Sequence, residues 1–118
     1  MSSINLPHQK PVRFVKDLVK IEDDIAYVTC LFPNIPTLAM IFEAAAQSSV
    51  AFNQEEIPKI GFLVSLKDIE LLKEPNILKF EIIVKQEINL GFFNEFTFEL
   101  INENIIYAKG RFVVKLQD

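Results

Sequence analysis

The feature that most constrains this chain is one apolar stretch, FPNIPTLAMIFEAAAQSSVAF (residues 32–52), with strand-like sequence on both sides of it. Pro33 and Pro36 bracket a short loop at its start, and Thr37 stands where a helix cap belongs, with Asn34 as the alternative. The helix is expected to end near Asn53. Glu43 is the single acid in the run, and Gln47, Ser48 and Ser49 interrupt it further. From Pro36 to Phe52 it falls short of the roughly 20 apolar residues a bilayer span requires. A helix buried in a protein core fits, and the rest of the chain must cover it.

That remainder reads as strands. VRFVKDLVKI (residues 12–21) is rich in β-branched residues and ends at Glu22-Asp23-Asp24, after which IAYVTCLF (residues 25–32) resumes in extended form, so a hairpin is predicted. Beyond the polar NQEEIP connection come four more extended segments: IGFLVSLKDIELL (60–72), ILKFEIIVKQEI (77–88), FFNEFTFELI (92–101) and IIYAKGRFVVKL (105–116). Glu74-Pro75-Asn76, Asn89-Leu90-Gly91 and Asn102-Glu103-Asn104 separate them, each with Asn or Pro where a tight turn wants it. In the third segment Phe92, Asn94, Phe96 and Phe98 alternate with Phe93, Glu95, Thr97 and Glu99, which marks a core face more than a ligand pocket. The order is β-β-α-β-β-β-β, an α+β chain. Sequential hairpins imply an antiparallel six-stranded sheet, and a helix apolar nearly all round must be wrapped by it. A sheet curled round one long central helix is the hot-dog arrangement, although the pattern alone leaves other α+β folds open.

Composition bounds the function. A chain of 118 residues suits a single domain spanning 1–118. Half its residues are hydrophobic and 11 are Phe, an apolar excess that points to a further buried face between subunits. A formal net charge of −4, with no basic and aromatic interleaving, argues against nucleic acid. Cys30 has no partner for an internal disulfide, and MSSINLPHQKPVRF lacks the charged-then-apolar order of a secretory signal, so a cytoplasmic location is expected. Cys30 reads as a small core residue. No metal-ligand cluster, phosphate-cradling glycine loop or Ser-His-acid set is present in the sequence, and no cofactor or metal is expected. Lys10, Arg13, Lys16 and Lys20 could attract an acidic partner, although surface lysines are ordinary.

LPHQKPVRFVKDLVKIEDD followed by LFPNIPTLAMIFEAAAQSS resembles the opening of the 3-hydroxyacyl-[acyl carrier protein] dehydratases. Leu6-Pro7-His8 and Pro11 match the family's first stretch, Phe32-Pro33 and Pro36 its proline loop, and Glu43, Ala46 and Gln47 its helix. IGFLVSLKDIEL, with Gly61 and Phe62, lies where the family's strand runs along the acyl tunnel. The departures are specific. Leu31 stands at the position of the family's catalytic histidine, the loop is shortened, and no glycine occurs between Phe32 and Phe52. His8, the only histidine, matches a position that is not the catalytic one and reads as structural. In this combination the chain is similar to the His-less dehydratase-like subunits of aryl-polyene-type pathways.

The resemblance implies an acyl thioester substrate carried on acyl carrier protein or CoA, and a site at a dimer interface. Dehydration needs a base at C2 and an acid at C3 of the 3-hydroxyacyl group, facing each other across the substrate. Glu43 suits the acid, since apolar surroundings favour a neutral carboxyl group. Gln47 is on the same helical face, four residues on, where it could hydrogen-bond that carboxyl group or bind substrate. The first-turn backbone around Thr37, Leu38 and Ala39 could polarise the thioester carbonyl. The base is missing, and a heterodimer with a His-bearing hot-dog subunit would restore it, whereas a homodimer would offer Glu43 twice. Two other functions stay open. A hot-dog thioesterase would use Glu43 to activate water and needs no histidine, and a non-catalytic acyl-binding protein would bind without turnover.

Overall fold

A computed structural model of the chain describes residues 2–3, 14–49, 52 and 60–117. Its elements are β1 (Ser2–Ser3), β2 (Val15–Glu22), β3 (Ile25–Leu31), α1 (Leu38–Ser48), β4 (Ile60–Leu71), β5 (Lys79–Asn89), β6 (Phe93–Asn102) and β7 (Ile105–Gln117). The six expected strands are all present, and β1 adds a two-residue strand against β2. The sheet is antiparallel throughout, in the order β1-β2-β3-β5-β6-β7-β4. The chain therefore leaves β3, passes through α1 and returns at the opposite edge of the sheet beside β7. This is the hot-dog fold.

The turns form where the sequence supplies residues that tolerate a left-handed backbone. Asp23 has φ 53°, Gly91 φ 80°, Glu103 φ 50° and Asn104 φ 65°. Each lies between strands that pair as a hairpin. Asp68, at φ 53°, is different, because it sits inside β4 at a bulge between Lys67 and Glu70. Across from that bulge Gly110 pairs with Phe98, and a Cβ at Gly110 would come within 2.4 Å of Ile69 Cδ1 and 2.9 Å of Phe98 Cε1. The glycine is needed for close approach.

The core lies between the helix and the concave face of the sheet. Ile41, Ala44 and Ala45 on α1 join Cys30, Phe80, Ile82, Val84, Phe96, Phe98, Leu100, Tyr107 and Phe112 from the strands. Aromatic rings knit it together: Phe32 lies 5.2 Å from Phe14 and 5.8 Å from Phe80, and Phe96 stacks on Phe112 at 5.2 Å. The predicted alternation on β6 holds from Asn94 to Leu100, with Asn94, Phe96, Phe98 and Leu100 buried. Phe92 departs from it, because it lies in the turn before the strand and is exposed.

Two details of the helix bear on the site. Regular α geometry runs to Ser48, and Ser49 and Phe52 adopt 3₁₀ conformation; Asn53, where the helix is expected to end, lies outside the described residues. Ser48 Oγ donates to the Ala44 carbonyl at 2.8 Å and Ser49 Oγ to the Ala46 carbonyl at 2.6 Å, so serine hydroxyls take carbonyls of the last turn. Among the described residues, the helix is also not covered all round. Its far side carries exposed Leu38 and Ala39 and half-buried Phe42, Glu43 and Ala46.

Candidate functional site

Thr37 caps the helix, and Asn34 does not. Thr37 Oγ1 accepts the Met40 N–H at 3.2 Å, while the Met40 thioether lies 3.5 Å from the Thr37 N–H, in the place a Glu or Gln side chain takes in the usual capping box. With that pair closed, the N–H groups of Leu38 and Ala39 stay unpaired among the described residues and carry the positive end of the helix dipole. Ala39, Glu43 and Gln47 follow at intervals of four and share a face, each about 6 Å further along the axis. Ala39, Glu43 and Gln47 thus share one side of the helix, while Thr37 and Leu38 stand at its N-terminal end.

Glu43 and Gln47 differ in burial. Glu43 is half-buried, less enclosed than its apolar sequence surroundings suggest, while Gln47 is 2% exposed. Gln47 Nε2 donates to Glu43 Oε1 at 3.3 Å, the contact expected from their spacing. Gln47 Oε1 accepts the Phe14 N–H at 2.9 Å and the Val15 N–H at 3.3 Å. The Phe14 carbonyl in turn accepts the Leu31 N–H at 2.9 Å. One hydrogen-bonded path therefore joins Glu43, Gln47, Phe14 and Leu31. Sequence reasoning missed Phe14, because nothing local signals a bond spanning 33 residues.

Leu31 ends β3 with its side chain 42% exposed, whereas the next residue, Phe32, is in the core. His8 lies outside the described residues. Gly61 pairs with Leu116 and Phe62 with Lys115 on β4, and the side chain of Phe62 is likewise outside the described set. Neither is brought beside Glu43 by any described contact. Of the four basic residues singled out near the N-terminus, Lys10 and Arg13 are also outside it, and Lys16 is exposed. Lys20 is already engaged: its Nζ lies 2.9 Å from Glu22, whose hydrogen bond and charge raise its pKa, and 4.6 Å over the Tyr27 ring. Burial pushes the Cys30 thiol up to about 12, against a smaller opposing effect of a backbone hydrogen bond from Phe80, so it is inert at neutral pH.

On the other face of the sheet a depression of about 410 Å³ is lined by Ile25, Ile83, Lys85, Thr97, Glu99 and Lys109, among others. Its charges alternate in sign. Among the described residues no cluster of His, Cys, Asp or Glu is arranged to hold a metal ion, and no helix is long and apolar enough to cross a membrane.

No protein-family model matches the chain, and no curated protein is found to match it. Solved structures do. The chain is similar to a structure described as the dehydratase heterocomplex ApeI:P from Xenorhabdus doucetiae, at 13% identity and a TM-score of 0.78, covering 96% of this chain and 88% of that one. It is similar to smu.793 from Streptococcus mutans bound to acetyl CoA, at 15% identity and a TM-score of 0.70, covering 95% of both chains. A hypothetical thioesterase with coenzyme A from Streptococcus pneumoniae gives 15% identity and a TM-score of 0.65, covering 86% of this chain and 84% of that one. At these identities the likeness establishes the shared fold.

Proposed function

We propose that this chain is one subunit of a 3-hydroxyacyl thioester dehydratase, supplying Glu43 as the acid of a site that a His-bearing hot-dog partner completes. The observation that carries the reading is the open side of α1. It holds a half-buried carboxyl group, backed by the buried Gln47 amide, and towards the helix start two N–H donors that are unpaired among the described residues, on a side where the described residues leave Leu38 and Ala39 exposed.

A partner has a place to sit. β4 pairs with β7 on one side, and among the described residues its other edge is unpaired, with Val64, Leu66 and Leu71 exposed. α1 packs near β4, so a subunit docked on that edge would also cover Leu38 and Phe42. The partner's base removes the proton from C2. Electrons of that C–H bond form the C2–C3 double bond, and the C3 hydroxyl leaves as water with a proton delivered by the Glu43 carboxyl group acting as the acid. The Leu38 and Ala39 N–H groups would stabilise charge on the thioester oxygen. The substrate would arrive on acyl carrier protein or CoA. The similarity to a dehydratase heterocomplex supports this reading, and the two CoA-bound neighbours support a thioester ligand.

The test is a dehydratase assay on a 3-hydroxyacyl carrier-protein thioester, with wild type and Glu43→Gln, each alone and mixed with a His-bearing homologue from the same genome. Activity confined to the wild-type mixture is expected. Dehydration by the wild type alone would mean that this chain supplies its own base, and release of free thiol by the chain alone would make it a thioesterase. A bound acyl chain with no turnover anywhere would leave a binding protein.

A further inference from the structure

We propose that the turn between β5 and β6 is a lipid-binding tip, which seats the protein peripherally on a bilayer surface through Leu90 and Phe92. Leu90 is 67% and Phe92 62% exposed, more than any other large hydrophobic side chain among the described residues, and both belong to this one turn. Half-exposed Ile88 and Phe93 widen the patch, and the Phe92 and Phe93 rings meet edge to face at 6.3 Å. Single exposed leucines on a surface need no explanation, but apolar residues clustered at a tip mark a contact. The turn itself does not need them. Its geometry comes from Gly91 at φ 80° and from two asparagines: Asn89 Oδ1 accepts the Gly91 N–H at 2.9 Å, and the buried Asn94 donates from Nδ2 to the Gly91 carbonyl at 2.9 Å.

Shape, hydrogen bonding and charge favour a bilayer over a protein partner. β3 pairs with β5 only as far as Lys85, and the Gln86 N–H goes to the Asp24 carbonyl. Beyond that point the described residues pair β5 on its β6 side alone, so the hairpin projects past its neighbour. A projecting tip suits a soft surface that can close around it. The Leu90 N–H is taken by the Phe93 carbonyl at 2.9 Å, and both polar groups of Gly91 are taken by the asparagines. Backbone already satisfied in this way loses less on entering an apolar layer, and it offers little to the hydrogen bonds of a specific protein interface. The acids nearest the tip are neutralised within the chain, Glu87 by Lys85 at 3.6 Å and Glu95 by Arg111 at 3.3 Å. Lys115, across the ladder from Phe93, is exposed. A lysine beside an apolar tip matches headgroup phosphate, with its stem along the apolar side. The tip also lies at the end of the sheet opposite Leu31, which pairs with Lys79, so the inference does not depend on the dehydratase reading.

The test is sedimentation of the full chain with sucrose-loaded phosphatidylcholine vesicles. The wild type is expected to pellet with them. The double variant Leu90→Ser/Phe92→Ser should partition at least tenfold less while melting at the wild-type temperature, since both side chains stand in solvent. A second readout does not rely on that variant folding: Phe92→Trp places one tryptophan in a chain that has none, and its emission should shift to the blue when the same vesicles are added. Equal partitioning of the wild type and the folded double variant would overturn the proposal, as would an unshifted Trp emission. Binding that appears only when phosphatidylglycerol is included would show that charge alone drives it, and would overturn the apolar tip. So would a double variant that keeps its vesicle binding but loses association with a second copy or with a His-bearing homologue, because the tip would then be a protein contact.

Discussion

On the sheet side of α1, Ile41, Ala44 and Ala45 are shut away from solvent and join the core built with strands of their own chain. On the opposite side, Leu38 and Ala39 are exposed and Phe42, Glu43 and Ala46 are only half-buried. Both sides are apolar in sequence. The first is explained by this chain's own packing; on the second, Phe42 still packs partly against that core, but the described residues leave Leu38 and Ala39 open. An apolar helix face carrying one acid and left partly open by the described residues is what the proposed shared site would require. Damage to the closed side should therefore appear as lost stability, and damage to the open side as lost association or activity.

The largest effect should come from the closed side. Phe112 is stacked on Phe96 at 5.2 Å and tilted against Phe98 at 5.9 Å, so Phe112→Ala should cost about 3–5 kcal/mol in urea unfolding. Alkaline pH tests the same core. Cys30 keeps its proton in the folded protein up to about 12, whereas in the unfolded chain it ionises near 9.0. Above that lower value the folded state binds more protons than the unfolded one, so stability should fall by about 1.4 kcal/mol per pH unit from this group. Its stabilising contribution is fully present below pH 9 and is lost towards pH 12. Urea midpoints at pH 8 and 10.5 should show a drop in wild type that Cys30→Ala reduces. Next in size, Gly110→Ala must displace Ile69 or the Phe98 ring and should cost about 1–3 kcal/mol. At the start of the helix, Thr37→Ala removes the acceptor for the Met40 N–H and should cost about 1 kcal/mol.

The same division explains what could be read in the sequence. Strand order along the chain was legible because the turns are local: Asp23, Gly91 and the Glu103–Asn104 pair adopt positive φ where Asp, Gly and Asn clusters stand. Side-chain alternation fixed which face of β6 is buried. Thr37 and the Glu43–Gln47 contact were legible for the same reason, being separated by three and four residues from their partners. What escaped is long-range. The bond from Phe14 to Gln47 and the bulge that brings Ile69 over Gly110 depend on how distant strands meet. The open side of α1 was hidden by its own apolarity, since burial by the same chain and burial by a partner demand the same residues.

That ambiguity is what Leu38→Glu resolves, and it does so through the smallest expected change in stability. Leu38 is 41% exposed at the first helical position, where a carboxylate interacts favourably with the helix dipole, so the folded monomer should change by no more than about 0.5 kcal/mol. In a subunit interface the same charge would be taken out of water without a partner, at a cost of several kcal/mol. Sedimentation of the wild-type chain and the variant, alone and with a His-bearing homologue, separates the two cases. If α1 and β4 form the shared face, the variant should melt like wild type and bind its partner at least tenfold more weakly. If binding is unchanged, the exposed leucine is simply a surface residue, and the partner, where there is one, docks elsewhere. Leu38 sits one helical turn and a half before Glu43, so a charge there that abolishes association but not folding would also locate the acid at the rim of the interface, within reach of a base carried by the other subunit.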